Sequence, residues 1–249
     1  MDARRRRRRH TLTAIVMADT PVIAQDGFSS GEPPVTGRRY LAAPGADTSG
    51  VTIVLAHGAG AGMAHPFMVA CATGLAARGL DAVTFNFPYM ERRAKAPNPA
   101  PQLEACYRAL IATLVERGWL TGRRLVIGGK SMGGRMATMV AAGEQPVAHP
   151  IAGVVALGYP LHPPGRPQQL RVAHLPSIRP PLLVVQGTRD EFGGPDELAP
   201  HLAPLGARAT IHRVERGDHS FKVTGLPKGS PPVLDGILDT VAAWCRSLA

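Results

Sequence analysis

Ser131, Asp190 and His219 stand along the chain in the order nucleophile, acid, base. A serine hydroxyl is a poor nucleophile at neutral pH unless an imidazole takes its proton and a carboxylate orients that imidazole. Three side chains of these types, each in a segment that follows a strand pattern, can therefore perform acyl transfer. Ser131 lies in Gly128-Gly129-Lys130-Ser131-Met132-Gly133-Gly134-Arg135, where flanking glycines permit a sharp strand-to-helix turn that lifts the hydroxyl above a sheet. Asp190 closes Gln186-Gly187-Thr188-Arg189-Asp190, and His219 sits in Gly217-Asp218-His219-Ser220-Phe221. Acyl transfer also builds negative charge on a carbonyl oxygen, which preorganised N–H donors must meet. His57-Gly58-Ala59-Gly60-Ala61-Gly62 follows a strong strand pattern, so the backbone N–H of Ala59 or Gly60, with that of Met132, is the candidate oxyanion hole.

The elements that must position these groups alternate between strand and helix patterns. A weak strand at Arg39–Ala42 and a strong one at Val51–Ala56 lead to a helix at Pro66–Arg78, a strand at Ala82–Phe87 and a helix at Pro101–Arg117. The strand Arg124–Ile127 enters the turn at Ser131, and a helix runs from Met132 to about Ala142. Gly153–Leu157 and Leu182–Gln186 read as buried strands, followed by a short helix Asp196–Leu202, a strand Arg208–Val214 and a closing helix Pro232–Leu248. Continuous Val, Leu and Ile runs fit a parallel sheet covered on both faces. Seven prolines between Tyr159 and Pro181 block a long helix there, so no large cap domain is expected. The chain of 249 residues thus predicts one α/β domain over residues 38–249, a mostly parallel twisted sheet in a three-layer α/β/α arrangement, after an irregular or disordered extension over residues 1–37.

Six arginines, Arg4 to Arg9, less Asp2, contribute five of the ten net positive charges. Such a run is normally unstructured, and it can hold phosphates without specificity. Met17 offers an alternative start, which makes residues 1–16 a dispensable extension and leaves no specific nucleic-acid partner. The apolar stretch Thr11–Ala18 barely reaches the length of a signal core and ends at Asp19 without a small-x-small cleavage site. No apolar run approaches the ~18 residues of a membrane span. Cys71, Cys106 and Cys245 fall in predicted helices without a Cys-x-x-Cys motif, as reduced buried thiols do. A cytoplasmic location is the expectation.

Rival readings are weaker. Gly27-Phe28-Ser29-Ser30-Gly31 repeats the glycine–serine spacing but has no strand before it and meets Pro33-Pro34, so it reads as a loop. Gly129-Lys130-Ser131 matches the end of a phosphate-binding loop, yet the required first glycine would be Arg124 and the intervening residues are strand. No dinucleotide fingerprint or metal-ligand spacing occurs, and the chemistry needs no cofactor. Among the histidines, His57 is expected to brace the glycine loop, and His149, His162, His174 and His201 to be solvated. Glu191 and Asp196 are fallback acids, and Asp218 a turn carboxylate.

With these motifs in hand, the chain resembles the α/β-hydrolase superfamily, related to dienelactone hydrolases. It is most similar to the branch that includes a regulatory subunit of the non-specific lethal chromatin complex and a testis-expressed relative, through His57–Gly60, Gly129–Arg135, Gly158-Tyr159-Pro160-Leu161-His162-Pro163-Pro164-Gly165, Gln186–Asp190 and Gly217–Ser220. The resemblance implies Ser131, Asp190 and His219 as triad. Lys130 stands where the branch often has arginine. Lys130, Tyr159 and His162 form the candidate rim of the substrate site, with Arg92, Arg93 and Arg166 as further cations. The expected function is hydrolysis of a small ester or thioester, a small-molecule acyl substrate, through an acyl-enzyme on Ser131. The alternative is a catalytically silent interaction module with the same fold.

Overall fold

Alternate residues of the central strands pack on opposite faces, and both faces are apolar. Ile53 and Leu55 join Val126, Val155, Leu183 and Val185 in one core cluster, while Val54 and Ala56 join Ile127, Val154 and Val184 in the other. A strand buried on both sides cannot alternate between apolar and polar residues, which is why these segments read as unbroken apolar runs. The computed structural model describes residues 25–30, 34–42, 50–227 and 229–248.

Eight strands form one sheet: β1 (Gln25–Ser30), β2 (Val35–Tyr40), β3 (Val51–Ala56), β4 (Asp81–Phe85), β5 (Arg124–Lys130), β6 (Ile151–Leu157), β7 (Leu182–Gly187) and β8 (Ala209–Val214). Their spatial order is β1-β2-β4-β3-β5-β6-β7-β8. β2 pairs antiparallel with β1 and β4, and every other pairing is parallel. Helices α1 (Pro66–Ala77) and α6 (Val233–Ser247) cover one face; α3 (Ala100–Glu116), α4 (Met132–Ala142) and α5 (Pro195–Leu202) cover the other, with the one-turn α2 (Pro88–Glu91) after β4. The result is the expected three-layer α/β/α fold. The strand order reverses at β3, so the chain leaves β3 and β5 in opposite senses and opens a crevice at their carboxyl ends.

The amino-terminal boundary moves. The strand expected at Arg39–Ala42 is β2, centred several residues earlier, and it pairs with β1, whose span includes most of the segment read as a loop at Gly27–Gly31. Strand pairing thus begins ahead of residue 38; residues 1–24 and 31–33 lie outside the described ones. β1 is hidden in sequence because Asp, Gly and Ser have little strand preference. β5 also runs three residues further than expected, to Lys130. Between Tyr159 and Pro181 the only helical element is a 3-10 turn at Leu175–Ser177, so among the described residues this segment builds no helical cap. No helix among the described residues is long and apolar enough to cross a membrane.

Candidate active site

Ser131 occupies the single residue between β5 and α4, with φ 50° and ψ −116°. This left-handed conformation is costly for a residue with a side chain, and the surrounding backbone imposes it. The Ser131 N–H donates to the Leu157 carbonyl at 2.9 Å, while its own carbonyl accepts the Arg135 N–H at 3.0 Å as α4 begins. α4 sits directly on the sheet: a Cβ on Gly129 or Gly133 would run into the carbonyl oxygen of Ala56, and one on Gly134 would lie 2.7 Å from that of Gly129. The glycines therefore serve close approach of helix to sheet, and the turn at Ser131 is the consequence. The buried Tyr107 hydroxyl steadies the preceding strand by accepting the Gly128 N–H at 3.0 Å.

The loops after β7 and β8 bring the other two groups to this hydroxyl. His219 Nε2 lies 2.8 Å from Ser131 Oγ, and His219 Nδ1 lies 2.8 and 3.0 Å from the two carboxylate oxygens of Asp190. A carboxylate only accepts, so Nδ1 carries the proton and Nε2 presents its lone pair to the serine. The Asp190 side chain is wholly buried. Its Oδ1 accepts the Phe192 N–H at 2.8 Å and its Oδ2 accepts from Gln186 Nε2 at 2.9 Å. Phe192 also lies against the imidazole, with ring centroids 4.2 Å apart. Asp218 shapes the histidine loop by accepting the N–H groups of Ser220 and Lys222, each at 2.8 Å. Of the fallback acids, Asp196 is held at the surface by Arg213 at 2.6 Å, and Glu191 is exposed.

His57 fixes the glycine loop. Its Nε2 accepts the Phe87 N–H at 3.0 Å, so Nδ1 carries the proton and donates to the Gly58 carbonyl at 2.8 Å. Burial holds this imidazole neutral, pushing its pKa down to about 4 against the opposing pull of the Gly58 carbonyl. Ala59 lines the same cavity as Ser131, Met132 and His219, whereas Gly60 is exposed and does not line it. Among the described residues, the N–H groups of Ala59 and Met132 have no protein acceptor.

That cavity measures about 750 Å³. Phe67, Met68, Leu103, Met136 and Phe192 give it an apolar body, and Lys130, Arg135, Arg171 and Lys222 give it cations. The rim differs from expectation. Lys130 lines the cavity, but Tyr159 and His162 do not. Tyr159 is buried, its hydroxyl donating to the Arg171 carbonyl at 2.5 Å and its N–H to Gln186 Oε1 at 2.8 Å. His162 is buried beside the Pro163 carbonyl at 2.9 Å and Glu197 at 3.4 Å. Both residues follow a strand end, as sequence suggests, but their side chains turn inward to hold the proline-rich loop. Arg92, Arg93 and Arg166 also lie outside the lining. His174, expected in solvent, instead meets Thr138 Oγ1 at 2.9 Å, and burial followed by the Arg135 charge lowers its pKa to about 4.

Sequence reasoning gave Gln186 no role, although a glutamine closing the apolar run Leu182–Val185 is a recognisable signal. Wholly buried, it joins Tyr159, Asp190 and the Gly193 carbonyl, the last 2.7 Å from Nε2. Arg135 and Arg171 were missed as well.

The alpha/beta hydrolase domain family model matches residues 49–245. Solved structures of similar fold include the Xanthomonas campestris protein XC6422, an α/β serine hydrolase without a lid, at 22% identity over 88% of this chain and 94% of that one, TM-score 0.66. A dienelactone hydrolase from Anabaena variabilis aligns at 18% identity over 91% and 98% of the two chains, TM-score 0.70. An alpha-beta serine hydrolase homologue from Coxiella burnetii aligns at 17% identity over 91% and 97%, TM-score 0.63.

Proposed function

The chain belongs to the alpha/beta hydrolase domain family, and from that premise we propose that it is a serine hydrolase cleaving a carboxylic ester or thioester through an acyl-enzyme on Ser131. The observation that carries this reading is the unbroken hydrogen-bonded path from Asp190 through His219 to Ser131 Oγ. A binding module without chemistry has no use for that path. The motifs at Gly129–Arg135 and Gly158–Gly165 support the narrower placement in the branch of the non-specific lethal complex subunit, and the free thiols of Cys71, Cys106 and Cys245 support a cytoplasmic location.

In the proposed reaction, Ser131 Oγ attacks the substrate carbonyl carbon while its proton passes to His219 Nε2. The imidazolium so formed is stabilised by the buried Asp190 carboxylate. The carbonyl oxygen becomes an oxyanion in front of the Met132 and Ala59 N–H groups, the pair that the cavity lining favours over Met132 and Gly60. The carbon–oxygen or carbon–sulfur bond breaks as His219 returns the proton to the leaving alcohol or thiol. Water then repeats the sequence, giving its proton to His219 as it attacks the acyl-enzyme, and the acid leaves as Ser131 recovers its proton. A cavity of about 750 Å³ accommodates more than a short acyl chain.

A fluorophosphonate probe, which phosphonylates activated serines, tests the assignment. Labelling of the parent and none of Ser131→Ala is expected, with release of 4-nitrophenol from 4-nitrophenyl esters, or of coenzyme A from acyl thioesters, by the parent alone. Labelling that persists in Ser131→Ala would remove Ser131 from the chemistry.

A further inference from the structure

Four cationic side chains and no aspartate or glutamate line the cavity among the described residues. Two of the four, Arg135 and Arg171, line it close enough together for the charge of Arg135 to act on Arg171. Arg135 stands one helical turn beyond Ser131, on the first turn of α4, and Arg171 lies in the proline-rich loop after β6, its N–H donating to the Leu161 carbonyl at 2.8 Å. No ion pair joins Arg135 to a carboxylate among the described residues, and its buried Nε has no hydrogen-bond partner. Arg171 has one long contact, Nη1 to the Pro160 carbonyl at 3.4 Å. Burial and the neighbouring Arg135 charge both lower the pKa of Arg171. Two guanidinium groups near one another, partly out of water and with no carboxylate partner among the described residues, repel one another, and a bound anion relieves that repulsion. The planar fork of arginine matches a carboxylate with two parallel N–H bonds.

We propose that Arg135 and Arg171 form a carboxylate-binding subsite, so that the ester or thioester cleaved at Ser131 carries a carboxylate a few bonds from its reacting carbonyl. This rests on the serine-hydrolase reading and adds the substrate class to it. Lys130 and Lys222 reinforce the field that draws the anion in. Lys130 has a buried Nζ without a hydrogen-bond partner, 5.4 Å from the centre of the Phe221 ring. The apolar wall of Phe67, Met68 and Leu103 receives the uncharged remainder of the substrate.

The test compares 4-nitrophenyl hemiglutarate, an ester with a free carboxylate, with the neutral 4-nitrophenyl hexanoate. The parent should favour the hemiglutarate in kcat/KM by roughly ten- to hundredfold, as a charge-assisted pair in a partly buried site allows, with most of the difference in KM. In Arg135→Gln and in Arg171→Gln the ratio should fall toward one, and Arg135→Lys should retain an intermediate preference. A parent that treats both esters alike, or a preference surviving both glutamine variants, overturns the subsite. Calorimetry of glutarate binding to Ser131→Ala separates this from the chemistry. Binding lost in the Ser131→Ala/Arg135→Gln double variant supports the subsite even if no ester is cleaved. Absence of binding to Ser131→Ala, with neutral esters still turned over by the parent, rejects the subsite and leaves the hydrolase standing.

Discussion

His219 Nε2 stands 2.8 Å from Ser131 Oγ although 88 residues separate them along the chain, and the hydroxyl reaches it from a backbone conformation that serine rarely adopts. The third member, Asp190, holds the proton of the imidazole on Nδ1. Asp190→Asn removes the charge that stabilises the imidazolium and lets the amide favour the wrong tautomer, while keeping the volume of the side chain. A fall in kcat of roughly 10³–10⁴ is expected, by analogy with the same change in serine proteases, with the melting midpoint little altered. Residual 4-nitrophenyl ester hydrolysis within tenfold of the parent would show that the carboxylate does not orient His219.

Gln186 is the buried hub behind that carboxylate, and it does not line the cavity. Gln186→Leu keeps the volume but leaves the Tyr159 N–H and the Gly193 carbonyl without partners and takes from Asp190 Oδ2 one of its two donors, the other being His219 Nδ1. Buried polar groups stranded in this way cost about 1–3 kcal/mol, which urea unfolding at neutral pH should read. Because the substrate never touches Gln186, kcat should drop while KM stays close to the parent value. A variant with parental stability and parental kcat would make the amide a bystander.

How far the chain discloses itself depends on which kind of signal a residue carries. The meeting of Ser131, Asp190 and His219 was legible because each is a reactive type in a loop that follows a strand, the first two directly after strongly apolar ones, and strand ends in parallel sheets are where such groups gather. Side-chain direction is not written in that pattern. Tyr159 and His162 follow β6 as a rim residue would, yet they point into the loop's own interior. Arg135 was visible only as part of the serine motif, and Arg171 as one polar residue in a proline-rich stretch; that both line one cavity is tertiary. β1 and β2 were obscured because an edge hairpin needs little apolar patterning to pair.

Close packing of α4 on β3 predicts a sharp contrast between two glycines near the site. A methyl group at 133 would strike the Ala56 carbonyl oxygen and lie 2.7 Å from that of His57. Gly133→Ala should therefore push the helix off the sheet, costing more than about 3 kcal/mol by the reckoning for overpacked cores, and spoil the turn at Ser131. Gly60 has φ +74°, but a methyl group added there would meet nothing within 4 Å, so Gly60→Ala should cost only the left-handed strain, about 1–2 kcal/mol. Urea midpoints of the two variants supply the comparison; equal destabilisation would mean that the contact at Ala56 relaxes freely.

Acid should loosen the loop that carries Ala59, through His57. The folded protein keeps this imidazole neutral, with a pKa of about 4 in place of the ordinary 6.5, chiefly because it is buried, and its Nε2 must accept the Phe87 N–H, which a protonated ring cannot do. As pH falls below 6.5 the unfolded chain takes up the proton first, so the stabilisation is intact above that value and is lost progressively toward pH 4. A displacement of this size corresponds to about 3 kcal/mol. His174, lowered to about 4 as well, adds a second descent over the same window. Unfolding free energies measured from about pH 7 to pH 4 should therefore fall steeply in the parent. His57→Gln should start lower at neutral pH and fall less, by up to one proton's worth of slope, because His57 no longer contributes while His174, and His212 whose pKa burial also lowers, still do. Parallel curves for parent and variant would mean that His57 takes up its proton at the same pH in the folded protein as in the unfolded chain, so that burial and the Phe87 N–H do not hold the ring neutral.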